Sequence, residues 1–143
     1  MIDNNIWLEL PKAAIEPLSI EIIEENPYTY KIERRFCFSK GFIGFDGHFP
    51  NSPILPGVVQ LSCIRYMCSL FFNRELNIFQ IPKVKFIKMI LPEEKFKISI
   101  IIKELTDYIQ ANFKIIPCKN THIKSNFQKH KEIIISKGII YLK

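Results

Sequence analysis

GFDGHFPNSPILPGVVQLSCIRY, residues 44–66, is where the chain turns from a stiff, proline-punctuated run into an apolar helical pattern. Pro50, Pro53 and Pro56 fix three φ angles within a short span, so the backbone between His48 and the segment that follows is given a set path. Proline suits the first turn of a helix, because its missing N–H would find no intrahelical acceptor there. From Pro56-Gly57 onward Val58, Leu61, Ile64, Met67, Cys68 and Phe71 recur at helical spacing as far as Phe72. Val59, Cys63 and Phe72 widen the stripe until it nearly encircles the helix, which predicts a buried helix of about four turns.

The remainder reads as strands that could cover such a helix. Residues 18–24 and 28–38 alternate apolar and polar side chains about the turn-like Asn26-Pro27, the pattern of a hairpin. Residues 82–90, 95–104, 108–117 and 131–142 are rich in Ile, Phe, Val and Tyr and are mostly divided by turn residues, so they too are expected as antiparallel strands. Residues 118–130 have a polar loop composition. One buried helix and a long antiparallel sheet define an α+β class, the sheet wrapped around one long central helix, in a single domain over residues 1–143.

Composition limits the functions this domain can have. A chain of 143 residues, 48% hydrophobic and 13% aromatic, can bury a substantial core. No segment approaches the roughly 18 uninterrupted apolar residues of a membrane span, and no basic start precedes an apolar run, so a cytoplasmic protein with no membrane span is expected. Cys37, Cys63, Cys68 and Cys118 form neither a CxxC pair nor a zinc-like spacing and read as reduced packing residues. His48, His122 and His130 are far apart without an acidic cluster, so no metal is expected. Lys and Arg outnumber Asp and Glu 20 to 14, with the basic excess concentrated after residue 72. Solvated lysines on strand faces explain that excess, and an acidic carrier protein or an anionic surface would also be attracted by it. Nucleic acid is not expected, since the lysines are dispersed and no RNP box, zinc finger or helix-turn-helix pattern occurs.

The chemistry of the opening stretch leaves two readings of His48. A histidine ahead of a proline-rich turn can be a hydrogen-bonded structural residue. It can also be a base beside an oxyanion site, because the first turn of the following helix offers amides without intrahelical partners and a partial positive potential. A base next to such amides is one arrangement for removing a proton α to a thioester.

GHFPNSPILPGVVQL, residues 47–61, resembles the active-site signature of the hot-dog-fold 3-hydroxyacyl-acyl-carrier-protein dehydratase family. VKFIKMILPEEKFKISIII, residues 84–102, is similar to that family's strand-turn-strand after the helix, with Leu91-Pro92-Glu93-Glu94 where a Pro-Gly-Asp type turn is usual. The wording PGVVQL is especially similar to the aryl-polyene dehydratase-like branch. The resemblance implies a hot-dog dimer, with a second copy or a related subunit, acting on acyl-carrier-protein or acyl-CoA thioesters in fatty acid or polyene lipid biosynthesis without a cofactor. It implies His48 as the base that takes the α-proton and Gly57 as the N–H that holds the thioester oxygen. A substrate tunnel would be lined by Phe45, Phe49, Val58 and Arg65.

One element departs from the family. Fourteen residues after the histidine the family carries a Glu or Asp that assists departure of the 3-hydroxyl, and this chain has Ser62. A serine hydroxyl is far too weak an acid to replace it. Asp46 lies near in sequence, and Arg65 shares the helix face but guanidinium does not give up a proton. Cys63 and Cys68 lie in an apolar helix, which raises a thiol's pKa and disfavours a Cys–His pair. The expectation is therefore a dehydratase-like enzyme with an altered catalytic partner at Ser62. The competing expectation is a non-catalytic acyl-binding or heterodimer-forming subunit, and a hot-dog thioesterase stands third.

Overall fold

The structure, a computed structural model, describes residues 4–25, 28–45, 53–118 and 132–143. Six strands, β1 (Ser19–Glu25), β2 (Tyr28–Cys37), β3 (Ile78–Phe86), β4 (Lys95–Glu104), β5 (Ile109–Pro117) and β6 (Ser136–Leu142), form one sheet in the order β1-β2-β4-β5-β6-β3. Every described pairing is antiparallel. Helix α1 (Asn4–Ala13) precedes the sheet, and α2 (Gly57–Phe72) lies between β2 and β3 in sequence.

Alternation in the central strands builds one apolar face. Ile32 pairs with Ile100, which pairs with Phe113, and Phe36 pairs with Phe96 two pleat repeats further along. The side chains on that face are buried, whereas Glu33, Arg35, Lys97 and Ile116 point to the other side. Helix α2 covers the apolar face with Val59, Cys63, Ile64, Met67 and Cys68, all buried. It stops at Asn73, whose φ of 51° is a left-handed cap that Asn tolerates, its N–H returning to the Leu70 carbonyl. A sheet curled over one long helix is the hot-dog arrangement that the signature implied.

The structure corrects several expectations. The stripe on α2 is rotated: Val58 is 53% exposed, and Val59 takes the buried place. A helix apolar almost all round carries little information about which side faces the sheet. The strand expected at 82–90 is β3, four residues earlier, running through Pro82. That proline is tolerated because β3 is an edge strand whose ladder with β6 is irregular between Gln80 and Lys83. Residues 87–90 leave the ladder, and the Ile87 and Lys88 amides both donate to the Ile135 carbonyl. The last strand begins at Ser136 rather than 131. Within it a Cβ on Gly138 would collide with the Lys83 carbonyl, so the close approach of β3 to β6 requires glycine there.

Helix α1 was not anticipated. Its Leu10 and Ala13 are buried, and Trp7 meets Tyr66 of α2 edge-on at 6.1 Å. Ala14 then bridges to Phe36, and Ile15 N–H donates to the Arg35 carbonyl, so the segment leads directly into the sheet. No helix among the described residues is long and apolar enough to cross a membrane.

Candidate functional site

The N-terminus of α2 is the centre of the candidate site. Pro56 stands at the N-cap with extended backbone, φ −60° and ψ 147°, and no side chain among the described residues caps the helix. The Val59 and Gln60 amides donate to the Pro56 carbonyl at 3.0 and 3.2 Å. The amides of Gly57 and Val58 precede them at the positive end of the helix dipole, where a developing oxyanion is stabilised. Gly57 is held from the side: a Cβ there would lie 2.6 Å from Cζ of Phe86, so the ring of the last β3 residue rests on the glycine.

A second contact fixes the same turn. Gln60, 3% exposed, accepts a 2.8 Å hydrogen bond at Oε1 from the hydroxyl of Ser136, which is fully buried at the start of β6. Ser136 is paired with Phe86 across the β3–β6 ladder. The Gln60 bond and the Phe86 ring therefore come from neighbouring positions and together set the rotation of the first helical turn. Sequence reasoning missed Gln60, Ser136 and Phe86. A lone amide in an otherwise apolar first turn was the available signal for Gln60.

The other expected residues are placed as follows. Ser62 is 2% exposed, and its hydroxyl donates to the Val58 carbonyl at 2.7 Å, so its proton is committed to the helix backbone. Val58 faces outward beside Gly57. Phe45 is buried in the short 3-10 turn Ile43–Phe45, edge-on to Phe42 at 5.6 Å, and Phe42 in turn packs on Phe38 at 4.5 Å. Arg65 is occupied by protein partners. Its Nε donates to the Leu76 carbonyl, its Nη2 to Asn77 Oδ1 at 2.7 Å and Glu75 Oε1 at 3.1 Å, and its guanidinium lies 4.3 Å from the Trp7 ring centroid. It thereby ties α1 and the α2–β3 connection to the helix. His48 and Phe49, with Asp46, His122 and His130, lie outside the described residues.

Two thiols on α2 are unsuited to nucleophilic chemistry. Burial without a charged partner drives Cys63 upward and pushes Cys68 up to about 12, far above neutrality. A surface groove of about 570 Å³ lies on the face of the sheet away from α2, lined by Glu16, Arg35, Glu33, Lys97, Ile116 and Cys118, and it shares no residue with the helix site.

Six antiparallel strands curled over a helix that opens on Pro-Gly define a hot-dog domain. Residues 24–128 match the ApeI-like family, described as ApeI dehydratase, and the chain belongs to that family. No curated protein matches the sequence. Among solved structures, an uncharacterized protein from Erwinia carotovora superposes with a TM-score of 0.66 at 20% identity, covering 92% of this chain and 94% of that one. A chain of the dehydratase heterocomplex ApeI:P from Xenorhabdus doucetiae gives 0.62 at 21% identity, covering 87% and 97%. An acyl-CoA hydrolase from Staphylococcus aureus, in complex with coenzyme A, gives 0.57 at 10% identity over 78% and 62%. At these identities the structural likenesses establish the hot-dog fold.

Proposed function

We propose that the protein is a 3-hydroxyacyl-acyl-carrier-protein dehydratase-like enzyme acting on acyl thioesters of fatty acid or polyene lipid biosynthesis. The observation that carries this reading is the first turn of α2, opened by Pro56 at the N-cap, with Phe86 resting on Gly57 and Gln60 tied to Ser136, directly after the GHFPNSPILP run. In the proposed reaction the Gly57 amide holds the thioester oxygen while His48 removes the α-proton. The C–O bond to the 3-hydroxyl then breaks, and the hydroxyl leaves as water on gaining a proton. Phe45, Phe49 and Val58 border the acyl chain. Arg65 enters only as the anchor of the helix to its neighbours.

The partner side of the reading rests on the β3 edge of the sheet, one of its two edges. Among the described residues strand β3 has β6 on one side only, and Phe79, Ile81, Phe86, Ile87, Met89 and Leu91 on it and just after it are exposed large apolar side chains. A second hot-dog subunit, a copy of this chain or a related one, would extend the sheet and cover them. The ApeI:P structure from Xenorhabdus doucetiae is a heterocomplex, which supports a related subunit as that partner. Acyl-carrier protein is the proposed donor of substrate, met by the basic second half of the chain.

Ser62 provides the test. Proton donation to a leaving group contributes roughly 10²–10⁴-fold in rate, and the committed Ser62 hydroxyl cannot supply it. Dehydration of 3-hydroxyacyl thioesters by the purified protein should be slow, Ser62→Asp or Ser62→Glu should raise it, and His48→Ala should abolish both rates. A parent rate equal to that of acid-bearing enzymes would mean that another group donates. No gain from either carboxylate in a folded dimer would favour the second reading, a non-catalytic acyl-binding subunit, which the buried and backbone-bonded Ser62 already supports.

A further inference from the structure

The connection between β3 and β4, residues 87–94, is bonded both to the exit of β2 and to the entry of α2. Ile90 accepts the Leu55 amide at 2.8 Å, two residues before α2 begins. At the other end of the connection the Glu93 amide donates to the Phe38 carbonyl at 2.8 Å, and Glu93 Oε1 accepts the Lys40 amide at 3.1 Å. Phe38 and Lys40 are where the chain leaves β2 on its way to the signature. The carboxylate's nearness to that exit is felt at Cys37, whose thiol is pushed up by desolvation and then by the charge of Glu93.

Glu93 holds this place in an unfavourable conformation. Its φ is 70°, and the Glu94 amide closes the turn onto the Leu91 carbonyl at 3.2 Å. Pro at the second position and positive φ at the third is the type II pattern, whose third position favours glycine. A glycine there would relax the backbone yet offer no acceptor to Lys40. An asparagine or aspartate would tolerate the conformation but is one methylene shorter. The strain is kept for what the side chain does.

We infer that Glu93 is a positioning residue for the candidate site: it fixes the exit of β2 at Phe38–Lys40 against the connection that also receives Leu55 at the entry to α2. The inference rests on the proposed enzymatic reading for its catalytic consequence, though not for its geometry. It assigns to the strained turn the spacing between the exit of β2 and the entry to α2.

Glu93→Gly and Glu93→Gln, made in the full chain, test it by amide hydrogen exchange, thermal unfolding and turnover of a 3-hydroxyacyl-pantetheine thioester. In Glu93→Gly the Lys40 amide should exchange about tenfold faster, as expected for loss of a charge-assisted hydrogen bond. Its melting temperature should be unchanged or higher, and kcat should fall with KM little altered. Glu93→Gln, which keeps an acceptor oxygen, should retain the parent's exchange and turnover. Unchanged Lys40 exchange in Glu93→Gly would overturn the clasp. A lower melting temperature in both variants would make the turn a folding element and overturn it too, as would faster exchange with unaltered kcat. If the parent itself turns nothing over, the enzymatic reading fails, and the exchange comparison alone decides the clasp.

Discussion

Removing the Ser136 hydroxyl is the sharpest probe of how the first turn of α2 is held. Ser136→Ala deletes a donor 2.8 Å from Gln60 Oε1 in a place where neither residue meets solvent. A neutral hydrogen bond contributes about 1 kcal/mol net, but a buried acceptor left without a partner costs about 1–3 kcal/mol, so the loss should be near 2 kcal/mol. The atom removed is small, so little of this comes from a cavity. Replacing both partners, Gln60→Leu with Ser136→Ala, removes the orphaned acceptor along with the donor, and the double variant should be more stable than the two single losses added together. The coupling should fall within about 0.5–3 kcal/mol. Urea unfolding followed by circular dichroism and by the fluorescence of Trp7, the chain's one tryptophan, measures all four proteins. With m near 2 kcal/mol per molar, the Ser136→Ala midpoint should drop by about 1 M. A drop within about 0.5 kcal/mol of zero, or strict additivity in the double variant, would refute the pair as a buried fastening of the helix.

Gly138→Ala should cost about 3 kcal/mol, because the new Cβ meets backbone of β3 that cannot rotate aside, and thermal unfolding with amide exchange should show the β3–β6 pairing lost. In the native protein Cys63 and Cys68 should resist a thiol reagent at pH 8 while Cys37 and Cys118, only partly buried, react first; mass mapping of labelled sites checks this. Glu16 is held below the ordinary carboxylate range by its hydrogen bonds and charge interaction with Arg35, at 2.6 and 2.9 Å. A lowered folded pKa contributes stability above the unfolded value and loses it as pH falls through the lowered one, so Glu16→Gln should lower the melting temperature slightly at neutral pH, leave it unchanged below the lowered value, and thereby flatten the acid side of the profile.

The sheet was legible because its strands are half-buried: Ile98, Ile100 and Ile102 alternate with Lys97, Ser99 and Ile101, and that period survives any register. The start of α2 was legible for a steric reason, since Pro56-Gly57 can open a helix but not continue one. What escaped was information that is not local. Val58 and Val59 are indistinguishable by hydropathy, and only the approach of Phe86 and Ser136 decides which one turns inward. The course of β3 through Pro82 depends on its being an edge, a property of strand order. Helix α1 had a readable spacing in Trp7, Leu10 and Ala13, obscured by Pro11 inside it. Arg65 was read as a group on the substrate's side of the helix, and its partners Leu76, Asn77 and Trp7 come from a loop and a helix that sequence alone does not bring near.

The exchange of an acid for Ser62 can be weighed against the same surroundings. At 2% exposure a carboxylate would lose most of its hydration, and an ionised one without a partner costs several kcal/mol, relieved only by holding its proton at neutral pH. A proton so held is what a leaving hydroxyl needs, which makes the acid useful to dehydration and expensive for the isolated fold. Serine removes that expense, because its hydroxyl finds the Val58 carbonyl within the helix itself. Activity that appears only when a related, acid-bearing subunit is added would place the proton donor in the partner's copy of the site and leave thioester binding and dimer formation to this chain.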